Sequence, residues 1–168
     1  DKKNKTDVGT LTAHLSIIKS IKKYSLRKVI TFHSKVENAK SFALDFPKIC
    51  SWLPEKDLLD IRIWSKHING MQKSHVREDL LQILGGRKMN EFSMITNARC
   101  LSEGIDVPSV NGIVYVEPKQ SHIDIIQSVG RAIRKNNNNK KSKIIIPINI
   151  SNSNDPDIEF QNTSYEKV

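Results

Sequence analysis

Five short runs rich in apolar and β-branched residues, interleaved with segments of helical spacing, constrain this chain more than any other feature. The runs are KVITF (28–32), IRIWSKH (61–67), EFSMIT (91–96), GIVYVE (112–117) and KIIIPI (143–148). Helical spacing marks 11–24, 35–46, 74–84 and 121–134. Near-continuous apolar strands that alternate with helices call for an α/β architecture. Its sheet is mainly parallel and covered by helices on both faces. The crossovers are expected to be right-handed.

Local signals give the boundaries. Leu11, Leu15, Ile18 and Ile21 fall on one helical stripe with lysines opposite, and Thr10 or Thr12 is placed to cap it. Val36, Ala39, Phe42, Ala43 and Phe46 repeat at helical spacing, and Pro47 is expected to stop that helix. Residues 47–60 then form a loop with a short turn near Trp52. Asn69-Gly70 breaks the second strand. Ser74 caps a helix whose inward residues are Val76, Leu80, Leu81 and Leu84, and Gly85-Gly86 end it. Pro147 cannot donate to a ladder and belongs at the end of the last strand. The 136–139 asparagine run reads as a polar loop.

With 168 residues the chain fits one domain. Its division is expected at residue 150, with an acidic, polar tail over 151–168. That tail and an opening without Met point to a piece of a longer protein. No apolar run approaches the roughly 20 residues that cross a bilayer. Cys50 and Cys100 are isolated, and the five histidines lack paired ligand spacing, so neither a disulfide framework nor a metal site is expected. A reducing, cytoplasmic compartment follows. Net charge is +9, concentrated in residues 1–28 (eight basic, two acidic) and 119–143 (seven basic, one acidic). Such a surface favours a polyanionic partner through counterion release, although basic faces are also often just solvated.

Two segments carry chemistry. In Gln127-Ser-Val-Gly130-Arg131-Ala-Ile-Arg134, the arginines are three apart on a helix and project from one side. Guanidinium groups offer rigid paired donors suited to phosphate. Gln127 lies one turn earlier on the same side, and Gly130 leaves room for close approach. The bland alternative is a helix with two solvated arginines. The second segment, Thr96-Asn-Ala-Arg99-Cys-Leu-Ser-Glu103-Gly104-Ile-Asp106-Val-Pro108, follows the 91–96 strand. It therefore starts at the carboxyl edge of the sheet, where open α/β sheets bind ligands. Gly104 permits a tight turn, and Asp106 offers a carboxylate to a ribose hydroxyl or an arginine. Ordinary turn chemistry also produces such residues.

Together with KVITFHSKVENAKSFA, these segments resemble motifs IV, V and VI of superfamily 2 helicases, in that order. The resemblance covers about residues 10 to 168. It is narrowest to DEAD/DEAH-type bacterial and viral helicases related to restriction translocases, some with a helicase-associated domain. It implies a RecA-like three-layer sandwich, the second motor domain of an ATP-dependent helicase or translocase. By the same resemblance Arg131 and Arg134 match arginine fingers, and Gln127 matches a residue at the nucleotide or its attacking water. Gly104, Asp106 and Gly130 fall at nucleotide-binding positions. Thr96, Asn97, His33 and Ser34 fall near a nucleic-acid phosphate.

ATP with Mg²⁺ is the implied cofactor, and the implied partners are an N-terminal RecA-like domain of the same protein and nucleic acid, DNA favoured. Arg99 and Glu103 depart from the DEAD-box form and receive no catalytic role. The chain has no G-x-x-x-x-G-K-S/T loop and no D-E-x-H/D box, so it is expected to be inactive alone. The alternative class is a nucleic-acid-binding α/β module without motor activity. A dinucleotide enzyme would need G-x-G-x-x-G where residues 33–38 read HSKVEN.

Overall fold

The computed structural model describes residues 8–53, 61–86, 88, 90–98, 100–101, 110–117, 130 and 142–148. Its elements run α1 (Val8–Lys23), β1 (Lys28–His33), α2 (Val36–Ser51), β2 (Arg62–Asn69), α3 (Ser74–Gly86), β3 (Glu91–Ala98), β4 (Gly112–Tyr115) and β5 (Lys143–Ile145). The five strands form one sheet in the order β2-β3-β1-β4-β5. Every neighbouring pair is parallel. The alternating pattern of the sequence thus resolves as a parallel α/β sheet.

Side chains leave the central strands on alternate faces, as the two-residue period of a strand requires. On one face Ile30, Phe32, Ile95, Ile113 and Tyr115 pack with Ile68 and with Leu81 and Leu84 of α3. On the other, Val29, Phe92, Met94 and Val114 pack against Ile17, Ile18 and Ile21 of α1 and Phe42, Phe46 and Ile49 of α2. Three layers result, with an apolar core on each side of the sheet.

Asn111 ties the amino edge together. Its Oδ1 accepts the backbone N–H groups of Arg27 (3.0 Å) and Lys28 (2.9 Å). Its Nδ2 donates to the carbonyl of Ser25 at 3.2 Å. Ser25 has a φ of 52°, a left-handed backbone that a non-glycine residue adopts only when its surroundings hold it. Gly112 follows, and a Cβ there would lie 3.0 Å from Cγ2 of Val29 and 3.3 Å from Leu26, so β4 enters the sheet through a tight gap in which any side chain would make its neighbours give way.

Four local expectations are corrected. Pro47 lies inside α2 and does not end it. The helix loses one backbone bond there, but buried Phe46 on one side and buried Ile49 and Cys50 on the other hold both halves against the sheet. Leu11 and Leu15 are 39% and 36% exposed; the buried stripe of α1 is Ala13, His14, Ile17, Ile18 and Ile21, rotated toward α2. The hydroxyl of Thr12 bonds back to the carbonyl of Val8 at 2.9 Å, inside the helix and not as its cap. Val76 is exposed, while Leu81 and Leu84 fill the core as expected.

Candidate nucleic-acid and nucleotide edge

Strands β1, β2 and β3 end level. His33, Asn69 and Ala98 are in register across the three strands. Their carboxyl ends therefore form a common shelf, and the chain leaves it at three places. After β1 it passes through Ser34 and Lys35 into α2. After β2 it makes a tight turn at Asn69-Gly70, where Asn69 Oδ1 accepts the N–H of Met71 at 2.9 Å and Gln72 Oε1 accepts the N–H of Asn69 at 2.9 Å. Arg77 of α3 donates to the carbonyl of Gly70 at 3.4 Å and fixes the turn from above.

A cavity of about 360 Å³ opens on this shelf, lined by Ser34, Lys35, Val36 and Glu37, by Gly70 and Met71, and by Ala98. The first turn of the 16-residue helix α2 thus borders it. Lys35, at the helix start, provides no side-chain cap. Unpaired first-turn N–H groups and the helix dipole favour an anion at such an end.

The side chains expected near a phosphate divide into two groups. Ser34 is exposed on the shelf. His33, Thr96 and Asn97 are buried. Thr96 donates its hydroxyl to the carbonyl of Ala39 at 2.6 Å. Asn97 Oδ1 accepts the N–H of Cys100 at 3.2 Å, while its buried Nδ2 has no hydrogen-bond partner. His33 shares a hydrogen bond of 2.9 Å with the hydroxyl of Thr31 and lies against the ring of Phe42. Burial and the neighbouring His14 push His33 down to about 3, so it is neutral at physiological pH. A direct phosphate contact by the His33 or Thr96 side chain is therefore not available in this conformation: strand alternation points both into the α1–α2 layer.

Gly130 is helical and exposed, with nothing within 4 Å of where a Cβ would stand. Gln127, Arg131, Arg134, Gly104 and Asp106 lie outside the described residues. Among the described residues, no group of three His, Cys, Asp or Glu side chains is arranged to hold a metal. No described helix is long and apolar enough to cross a membrane.

Two residues escaped sequence reasoning. Glu117, just beyond β4, accepts the N–H of Ser34 at 2.8 Å and also its hydroxyl. Asn38 donates to its other carboxylate oxygen at 2.6 Å. The available signal was a single acid closing an apolar strand before Pro118, which alone points to no partner.

A parallel sheet between helix layers, with a cavity and helix N-terminus at its carboxyl edge, makes this an α/β domain of the RecA-like kind. The chain belongs to the helicase conserved C-terminal domain family, whose model matches residues 11–136. It is similar to a protein of African swine fever virus (isolate Pig/Kenya/KEN-50/1950) described as a probable helicase, at 31% identity over 61 residues. That match takes in 36% of this chain and 7% of the viral protein. Among solved structures it resembles the ATP-dependent Type ISP restriction-modification enzyme LlaBIII bound to DNA. The TM-score is 0.78 at 24% identity, over 99% of this chain and 12% of that one. It also resembles domain 2 of a DEAD-box helicase bound to an RNA duplex, with a TM-score of 0.54, 17% identity, and coverage of 83% and 50%. The chain spans only a small part of the viral relative and of the restriction enzyme.

Proposed function

We propose that this chain is the second motor domain of an ATP-dependent helicase or translocase, contributing arginine fingers and part of the nucleic-acid track. The observation that carries the track is the cavity at the carboxyl edge, where exposed Ser34 and Lys35 meet the first turn of α2 and the Gly70 turn. A helix N-terminus with a nearby lysine suits a backbone phosphate. The contribution of Thr96 and Asn97 is then to the backbone position of the strand end, because their side chains face inward. His33 likewise holds the end of β1 and leaves the contact to Ser34.

For the nucleotide, the donor set fits. Arg131 and Arg134 supply paired donors to a terminal phosphate and Gln127 an amide for the attacking water, while Gly104 and Asp106 shape the approach. At Gly130, where nothing stands within 4 Å of a would-be Cβ, a neighbouring domain can approach closely. ATP with Mg²⁺, held mainly by an N-terminal RecA-like domain of the same protein, supplies the phosphoanhydride whose cleavage powers stepping. Closure on nucleotide and reopening after hydrolysis would move the two domains along a strand. Residues 1–150 form the motor domain in this scheme, and 151–168 begin a further segment. The two buried, unpaired cysteines fit a reducing, cytoplasmic setting.

The test is ATPase activity of the longer protein carrying this chain, with single-stranded DNA, duplex DNA and RNA as stimulants. Nucleic-acid-dependent turnover, absent from the 168-residue chain alone, is the expected result. Salt-dependent nucleic-acid binding with no nucleotide effect would instead favour a binding module without motor activity.

A further inference from the structure

The sequence alone gives Glu117 no role, yet its carboxylate joins the ends of β1 and β4 at the carboxyl edge. One oxygen takes the N–H and hydroxyl of Ser34, and the other takes the Asn38 amide at 2.6 Å. These donors stand on the far side of the β1–β4 pair in sequence. Beside them a backbone bond runs from the N–H of Val116 to the carbonyl of Phe32 at 3.2 Å. The carboxylate also sets a full negative charge against the start of α2, which lacks a side-chain cap. Ser34 and the first turn of α2 line the 360 Å³ cavity.

We infer that Glu117 is a positioning residue: it latches the segment leading toward Gln127–Arg134 to the nucleic-acid edge, and a phosphate reaching Ser34 loosens the latch by taking its donors. This deepens, and rests on, the proposed motor function. Ser34 has one N–H and one hydroxyl hydrogen and both go to Glu117, so a phosphate oxygen bound at Ser34 must take at least one of them from the carboxylate. Two anions on the same donors also repel each other. Nucleic acid and Glu117 therefore compete for the donors of Ser34. Occupancy of the edge is thereby communicated to the chain that departs from β4.

The experiment measures ATPase rate against concentration of an oligodeoxythymidine and, in parallel, an oligouridine, using the longer protein. Wild type is compared with Glu117→Gln and Asn38→Ala, the second removing one donor of the latch while keeping the carboxylate. Glu117→Gln is expected to lower the oligonucleotide concentration for half-maximal stimulation by about fivefold and also to lower the maximal stimulated rate. Asn38→Ala should move both quantities in the same directions by less. Unchanged constants overturn the latch. So does a fall in maximal rate with no change in half-saturation, which is what simple structural support produces. Should Glu117→Gln fail to fold, Asn38→Ala decides. Absence of stimulation in the wild type overturns the motor function itself, and the latch with it, before any variant is compared.

Discussion

The hydroxyl of Thr96, near the end of β3, donates at 2.6 Å to the carbonyl of Ala39 in the first turns of α2. This side-chain bond ties the two elements together and sets how closely the helix start approaches the strand end. Thr96→Val keeps the shape and removes the donor. We expect a loss of about 1 kcal/mol in urea unfolding, the usual cost of a buried hydrogen bond. No change in the midpoint would mean that the contact is incidental.

Acid should weaken the fold. His33 is held down to about 3 by burial first and His14 second, and burial also lowers His14. A histidine whose folded pKa is depressed binds its proton only in the unfolded chain. Its stabilising effect is therefore full above about 6.5 and declines as pH falls toward 3. Between pH 7 and pH 5 the loss from His33 alone is about 2 kcal/mol. Thermal melting at both pH values checks this, and His33→Asn should flatten the difference. A melting point that rises on acidification would contradict the buried neutral imidazole.

Asn111→Ala removes an acceptor from two backbone N–H groups and a donor from the Ser25 carbonyl. Unpaired, partly buried polar groups cost about 1–3 kcal/mol each, so this exchange should cost at least about 2 kcal/mol in denaturant unfolding. The same change at exposed Asn38 should cost less than half as much.

Neither thiol should react readily in the folded chain. Burial pushes Cys50 up to about 12 and Cys100 up to about 11, leaving little thiolate at pH 8. Labelling by iodoacetamide is expected to be slow in buffer and fast in urea. Rapid labelling of one cysteine under native conditions would locate an opening in the core beside it.

Arg131→Ala or Arg134→Ala in the longer protein should lower nucleic-acid-stimulated ATP turnover by about 10³-fold or more, the effect of losing an arginine finger. Nucleic-acid binding should persist. Wild-type turnover in both variants would remove the finger assignment.

The layers were readable in advance because period-2 and period-3.6 patterns are set by burial, and burial dominates in a sandwiched sheet. All five strands were found, and the Asn69-Gly70 break falls where the turn is. Pro47 misled because a local rule about a missing N–H was weighed without Phe46, Ile49 and Cys50, whose tertiary contacts outweigh one lost bond. Leu11 and Leu15 misled because hydrophobicity marks a stripe only to within about a turn, and His14, polar by type, takes an inward place stacked on Phe42 at 3.8 Å. The candidate edge was legible as an ordered set of motifs. Which of its side chains face solvent was not, since Thr96 and Asn97 differ in direction only once the pairing of β3 is known. Glu117 was invisible for the same reason: its three donors come from residues about 80 positions earlier.

The central strand was the first of the five to be made. Lys28 pairs with Ser93 on one side, and Val29 with Gly112 on the other. On the ribosome, Val29, Ile30 and Phe32 therefore emerge long before either flank exists, with both rows of backbone groups open. Until β3 and β4 arrive, α1 and α2 are what can shield that strand. Conditions that slow elongation or detach those helices should expose it to pairing with other chains.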